Sequence, residues 1–189
     1  MEVALGCLYI LELPFYTRTL VIFCLALNGL FRAFSFGGDD MNDDDYMRLA
    51  LQLAERGCGW TAPNPMVGAV IVKDGQIIGQ GWHEKYGAPH AERNALAACT
   101  LDPVGATIYV TLEPCCHYGK QPPCTEAILN AGIKRVVVGS HDPNPLVSGK
   151  GIQMLREDGV EVTEGVLEDE CARLNEVFFH YIQTKHPFV

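Results

Sequence analysis

The order of apolar periods is what most limits how this chain can fold. Residues 67–82, VGAVIVKDGQIIGQGW, are two β-rich runs on either side of Asp74-Gly75. Asp-Gly suits the two positive-φ positions of a tight two-residue turn, so the segment predicts a β-hairpin. Before it, residues 43–57 place Met47, Ala50, Leu51 and Ala54 at helical spacing, with acidic residues at the start and Gly57 as the stop. After it, helical and extended patterns alternate. Helices are predicted over 91–99, 123–131 and 150–158, the last stopped by Gly159, and strands over 106–112, 134–140 and 160–165. A single amphipathic helix is predicted over about 167–184. A hairpin followed by repeated helix–strand units predicts a three-layer α/β domain. Its mixed sheet should be antiparallel at the hairpin and parallel thereafter.

The length, 189 residues, suits one domain with a full core. The formal net charge is -9, and no cluster of Lys and Arg offers an electrostatic footprint for a nucleic-acid polymer. A small phosphorylated substrate remains compatible with that balance.

Residues 1–40 differ from the rest. The apolar run TLVIFCLALNGLF (19–31) is short for a membrane span and has the length of a signal-peptide core. Glu2 and Glu12 precede it with only Arg18, and no clear small-residue cleavage site follows. GGDDMNDDD (37–45) reads as an acidic linker containing Met41. The expected organisation is therefore an N-terminal extension and linker over 1–40 and one folded domain over 41–189, in a cytoplasmic protein. A membrane-associated leader is the competing reading of the extension.

The chain holds eight cysteines, and three of them crowd the loop TLEPCCHYGKQPPC (111–124) together with a histidine. In a chain of this size such crowding reads as a metal or catalytic site in a reducing compartment rather than a disulfide framework. Cys58, Cys99 and Cys171 lie in helical patterns and are expected to be small buried hydrophobes. HAERNALAAC (90–99) adds His90 and Glu92 at the head of a helix. A hydrolytic zinc ion needs three protein ligands and an open position. His90, Cys115 and Cys124 supply an imidazole and two thiolates, donors that suit zinc. Glu92, two residues beyond His90, is the candidate general acid/base. The competing reading is a structural zinc with four protein ligands, completed by Cys116 or His117. Adjacent Cys115 and Cys116 are awkward partners on one tetrahedral ion.

H-x-E followed by P-C-x-x-C is the signature of zinc deaminases. Here HAE supplies the first half, but residue 118 is Tyr, and the next cysteine is Cys124 in PPC. The short form fails, and a longer loop must take its place. With these motifs the chain resembles the deaminase domain of the riboflavin biosynthesis protein, a member of the cytidine deaminase-like superfamily. The resemblance runs from about Asp44 to the end. It rests on NPMVGAVIVKDGQIIGQGWHEKYGAPHAE (64–92), TLEPCCHYGKQPPC (111–124) and DPNPLVSGKGI (142–152).

The resemblance implies a cytidine deaminase-like α/β/α fold with a mixed five-stranded sheet. It implies zinc-dependent hydrolytic deamination of 2,5-diamino-6-ribosylamino-4(3H)-pyrimidinone 5′-phosphate, with Glu92 moving protons. It also implies substrate contacts at Asn64, His83, His117, Lys120, Asp142 and Asn144. Taken alone, Asn64, Asp142 and Asn144 beside prolines could be turn chemistry. Lys120, His83 and His117 could be ordinary surface residues. Gly149 and Gly151 are expected to serve a close loop–helix turn. Family members tend to self-associate, so a homo-oligomer is expected. The chain stops at KHPFV (185–189), where the reductase half of a bifunctional protein would begin, so the expectation is either a standalone deaminase served by a separate reductase or a truncated gene product. The rival functions are another cytidine deaminase-like base or nucleotide deaminase, and a non-catalytic zinc-stabilised module.

Overall fold

The computed structural model describes residues 41–144 and 147–188. The expectations for the extension at 1–40 lie outside them. The hairpin forms as predicted: β1 (Gly68–Lys73) pairs antiparallel with β2 (Gln76–Trp82). Asp74 and Gly75 take φ values of 51° and 74°, the left-handed pair that a type I′ turn requires. Helix α1 (Asp43–Glu55) precedes the hairpin. Then α2 (Ala91–Ala97) leads to β3 (Thr107–Leu112), and α3 (Cys124–Asn130) leads to β4 (Arg135–Ser140). Next, α4 (Lys150–Glu157) leads to β5 (Glu161–Thr163), before α5 (Glu168–Leu174) and α6 (Glu176–Thr184).

The five strands lie in the order β2-β1-β3-β4-β5. β1 is antiparallel to both β2 and β3, whereas β3, β4 and β5 are mutually parallel. So β1 alone runs against the other four. The start of β1 and the ends of β2, β3 and β4 therefore meet at one rim of the sheet.

Strand alternation divides the core into two halves. Ile71, Ile108, Val110, Val136 and Val138 pack with Ala91 and Ala95 of α2, Ile128 of α3 and Ile152 and Leu155 of α4. Val70, Val72, Tyr109 and Val137 pack on the other face with Met47, Ala50 and Leu53 of α1 and Cys171 of α5. Residues i and i+1 of a strand point to opposite faces, so near-continuous Val/Ile runs mark strands covered on both sides. The result is the three-layer α/β/α arrangement. Helix α2 sits close on β2 because Gly79 and Gly81 lack side chains. A Cβ at either would collide with the α2 backbone around Ala91 and Ala95.

Three expectations need correction. The final segment is two helices rather than one. It breaks at Asn175, a buried residue whose side chain accepts from Met66 N–H at 2.8 Å and donates to Met66 O at 2.8 Å. That amide completes the hydrogen bonding of a backbone more than a hundred residues earlier, and a straight helix would not deliver it. Cys58 is exposed, because α1 ends at Glu55 and Cys58 falls on the turn that follows. Cys99 is half-buried beyond the end of α2, while Cys171 is buried as expected. Among the described residues no helix is long and apolar enough to cross a membrane.

The start of α1 is fastened twice. Asn42 and Asp45 form a capping box, with hydrogen bonds of 3.0 and 3.1 Å. Asp43 then receives a two-pronged contact from Arg135 of β4, at 2.9 and 2.7 Å, and the Tyr109 hydroxyl of β3 at 2.9 Å. These bonds, the Arg135 one foremost, hold the Asp43 pKa below its usual 3.8. A folded-state pKa depressed in this way contributes stability above the unfolded value, and that stability is lost as pH falls through the folded value. The Asp43 side chain is a third exposed and Arg135 a quarter, so screening limits the gain. Asp43→Asn is expected to destabilise the fold by about 1 kcal/mol at pH 7 in urea unfolding. The gap to wild type should shrink below a pH of about 4. An equal gap at pH 7 and pH 3 would show that the charge of Asp43 contributes nothing.

Candidate active site and metal centre

The rim where β1 starts and β2, β3 and β4 end gathers the residues singled out in the sequence. Asn64 precedes β1, His83 follows β2, Cys115 follows β3 and Asp142 follows β4. His90 is the N-cap residue of α2, Glu92 stands in that helix's first turn, and Cys124 opens α3. Helix N-termini carry partial positive charge, which favours a thiolate there.

His90, Cys115 and Cys124 bring one donor atom each within 4.8 Å of one another, the one such trio among the described residues. His90 Nδ1 lies 3.5 Å from Cys115 Sγ and 3.4 Å from Cys124 Sγ. Tetrahedral zinc, with bonds of ~2.05 Å to nitrogen and ~2.3 Å to sulfur, separates such donors by about 3.6 Å. The donors therefore fit that ion in both chemistry and spacing. A hydrogen bond from the Cys124 thiol, with a smaller one from His90, pulls the Cys115 pKa down to about 4. The same Cys115–Cys124 bond, reinforced by burial, pushes Cys124 up. A divalent ion held by the two sulfurs would displace the thiol protons. The hydrogen bond with Cys115 raises the pKa of His90.

Two backbone bonds to Cys115 O fix the second cysteine, from Cys124 N at 3.0 Å and Thr125 N at 3.2 Å. Arg93 of α2 donates to Pro122 O at 3.3 Å and Pro123 O at 3.0 Å, which ties the PPC turn to the helix that begins at His90. The eight residues between Cys115 and Cys124 are thus held at both ends, and Cys116 stays outside the trio.

Glu92 is 3 % exposed. Burial raises its pKa first, aided by the negative charge of Cys115, while His90 and a hydrogen bond with Cys124 oppose the rise. A buried carboxyl with a raised pKa beside the donor trio is suited to take up and hand on a proton.

Above this floor lies a cavity of about 440 Å³. His90, Glu92 and Cys115 reach it from below, and all six expected substrate contacts line it: Asn64, His83, His117, Lys120, Asp142 and Asn144. Cys124 lies behind, fully buried. His83 is also buried, and both its ring nitrogens are engaged, Nδ1 with Pro89 O at 3.1 Å and Nε2 with Asn64 Nδ2 at 3.2 Å. Burial lowers its pKa. A neutral ring that donates from Nδ1 and accepts at Nε2 satisfies both contacts. Asp142 accepts from Asn144 N–H at 2.8 Å, so the turn expected from its neighbouring proline and the cavity position coexist.

The sequence reading assigned nothing to four features of the cavity. Lys120 Nζ stands 3.9 Å over the Tyr86 ring, a cation–π contact at the mouth. Gln121 Nε2 donates to Gly87 O at 3.2 Å and joins the same two loops. Phe178, Tyr181 and Ile182 of α6 form an apolar wall. Glu113 is buried with its carboxylate on the backbone that starts α4. Glu113 lies inside the motif EPC, but its partners are backbone amides far along the chain, which no local pattern reveals.

Residues 40–140 match the family model described as the cytidine and deoxycytidylate deaminase zinc-binding region. The riboflavin biosynthesis protein RibD of Actinobacillus pleuropneumoniae is 60 % identical over 149 residues, which are 79 % of this chain and 40 % of that protein. The diaminohydroxyphosphoribosylamino-pyrimidine deaminase of Buchnera aphidicola subsp. Schizaphis graminum is 48 % identical over 147 residues, 78 % of this chain and 100 % of that protein. The solved structure of RibD from Acinetobacter baumannii is 53 % identical with a TM-score of 0.75, covering 77 % of this chain and 41 % of that one. The chain thus spans about 40 % of the length of the RibD relatives it matches. By the matched region and these relatives, the chain belongs to the cytidine and deoxycytidylate deaminase zinc-binding family, on the branch formed by the RibD proteins and the diaminohydroxyphosphoribosylamino-pyrimidine deaminase.

Proposed function

We propose that this chain is a zinc-dependent hydrolase that deaminates 2,5-diamino-6-ribosylamino-4(3H)-pyrimidinone 5′-phosphate. The product would be 5-amino-6-ribosylamino-2,4-pyrimidinedione 5′-phosphate, with ammonia released, a step of riboflavin biosynthesis. One observation carries the reading: a buried carboxyl, Glu92, hydrogen-bonds Cys124 beside a trio of His, Cys and Cys donors at the floor of a substrate-sized cavity. The name of the full-length-matched Buchnera relative supports the choice of substrate.

In this reading His90, Cys115 and Cys124 would hold zinc, which would supply Lewis-acid charge that acidifies water. Glu92 would take one proton from the attacking water and give it to the ring nitrogen, then take the second from the new C2 hydroxyl and give it to the leaving amine as the carbonyl forms. Water oxygen adds to C2, the C2–N bond breaks and ammonia departs. Asn64, oriented by His83, holds the ring and ribose side. Lys120 and His117 meet the phosphate and polar groups from the metal loop, and Asp142 and Asn144 meet the ribose and phosphate side from the opposite wall.

The reading favours a cytoplasmic enzyme, where thiols stay reduced. All six described cysteines are free of disulfides. It also includes a homo-oligomer and a reductase as the next enzyme. The domain assignment, a deaminase unit over 41–189 with 1–40 as an appendage, is part of the same proposal.

Purified protein is expected to carry about one zinc per chain, unchanged in Cys116→Ser and lost or severely weakened in Cys124→Ser. Elemental analysis reads both. Loss of zinc in Cys116→Ser would mean that the ligand set is wrong. With the diaminopyrimidine phosphate, wild type should release ammonia, and Glu92→Gln should keep zinc and fold while turnover falls by ~10²–10⁴-fold or more. Full turnover in Glu92→Gln would remove Glu92 from the chemistry, and no ammonia from zinc-loaded wild type would sink the substrate assignment. Lys120→Ala should raise KM for the phosphorylated substrate by about tenfold more than for its dephosphorylated analogue. Equal losses on both would show that Lys120 does not read phosphate.

A further inference from the structure

The residues that leave β4, 141–144, bring Asp142 and Asn144 to the cavity wall, while 149–151 turn into α4. Both segments meet at one residue, Glu113, the first beside its backbone and the second on its carboxylate. We infer that Glu113 is a positioning residue that holds these two segments together and so fixes where Asp142 and Asn144 meet the substrate. The inference rests on the deaminase reading above for its consequence in catalysis, and on geometry alone for the attachment itself.

The geometry is as follows. Glu113 follows β3 directly and its side chain has no exposure to solvent. Its Oε2 accepts from Gly149 N–H at 2.9 Å and its Oε1 from Gly151 N–H at 3.2 Å. Its own N–H donates to Ser140 O at 3.0 Å, and His141 Nδ1 lies 3.7 Å from Oε2. One residue therefore binds the end of β4 through its backbone and the start of α4 through its carboxylate. From Gly149 a short set of bonds leads back to the wall. Lys150 N–H reaches Val147 O at 2.7 Å, Val147 N–H reaches Asn144 O at 2.8 Å, and Ser148 N–H reaches the same oxygen at 3.0 Å. Asn144 N–H in turn reaches Asp142 Oδ1 at 2.8 Å.

The backbone is shaped for this contact, as the close-turn expectation for the two glycines implied. Gly149 has φ of +79°, where an L side chain is strained. A Cβ on Gly151 would overlap Pro114 O. The turn thus lies directly on residues 113–114, immediately before the proposed zinc ligand Cys115. A buried carboxylate costs free energy unless its oxygens are fully bonded. An apolar residue would close the core more cheaply, so what the carboxylate adds is position. Glu92 stands on α2, outside this set of bonds, so substrate binding should suffer while proton transfer does not.

Glu113→Gln preserves shape but turns one acceptor into a donor that faces an N–H. It should raise KM for the diaminopyrimidine phosphate by about tenfold or more while kcat stays within about threefold. Zinc content should not change. Hydrogen exchange at the amides of Gly149 and Gly151 should accelerate in the variant, while the amides of β3 keep their protection. Glu113→Asp, which withdraws the carboxylate by one methylene, should shift KM and exchange in the same direction. Unchanged exchange at Gly149 and Gly151 in both variants would overturn the attachment, whatever the substrate proves to be. A fall in kcat with KM unchanged, or failure of both variants to fold, would also overturn it. Glu113 would then serve the chemistry or the whole fold rather than this wall. If wild type releases no ammonia, the deaminase reading fails, and the exchange measurement still decides the role of Glu113.

Discussion

Three donor atoms from residues 90, 115 and 124 must lie within 4.8 Å of one another, and much of the structure follows from that requirement. Each donor sits where a regular element begins or ends, so its position is only as good as the docking of that element. His90 depends on α2, which can approach β2 because Gly79 and Gly81 leave room for its backbone. Cys115 depends on β3, a central strand paired on both sides. Cys124 depends on α3, whose start is bonded to Cys115 O and whose preceding prolines are held by Arg93. These contacts close a triangle, and displacement of one corner strains the other two.

The reversed strand β1 explains why the rest of the site collects around that triangle. In a wholly parallel sheet the segment before the first strand would emerge at the opposite rim from the strand ends. Because β1 runs against its neighbours, Asn64 joins His83, Cys115 and Asp142 on one side. Asn175 secures this entry, since its side chain binds both polar groups of Met66 between Asn64 and β1. The break between α5 and α6 is therefore tied to the geometry of the cavity, and α6 continues from it as the apolar wall.

Much of this architecture was readable in the sequence because it depends on local periods. Asp74-Gly75 specified the turn, the order of β-rich and helical runs specified the layers, and the imidazole and thiolates of His90, Cys115 and Cys124 within their motifs nominated the donors. What escaped depends on partners distant in sequence. Asn175 looks like one more helical residue until Met66 is seen beside it, and Cys58 matched the helical period although α1 had already ended. Glu113 and Tyr86 lay inside segments that mattered for other reasons. Their roles come from backbone amides at 149 and 151 and from the ammonium group of Lys120. A carboxylate that bonds backbone N–H groups leaves no complementary residue type for a pattern to find.

The two walls of the cavity are fastened by different chemistry, and that difference bears on how the proposed reaction divides its tasks. The metal-loop wall carries Lys120 on a side chain that is exposed and rests on Tyr86, a contact that substrate phosphate can replace at small cost. The opposite wall is held by a connected set of hydrogen bonds that runs from buried Glu113 through Gly149 to Asn144 and buried Asp142. In the proposed reaction an exposed cation suits capture of a charged group arriving from solvent, whereas a hydrogen-bonded wall suits alignment of the ring. Between the walls, His83 spends both nitrogens on Pro89 and Asn64, and burial lowers its pKa. His90 faces the two sulfurs. On the cavity floor, that leaves Glu92 as the group suited to proton transfer, and its seclusion from solvent raises its pKa above the ordinary carboxylate value.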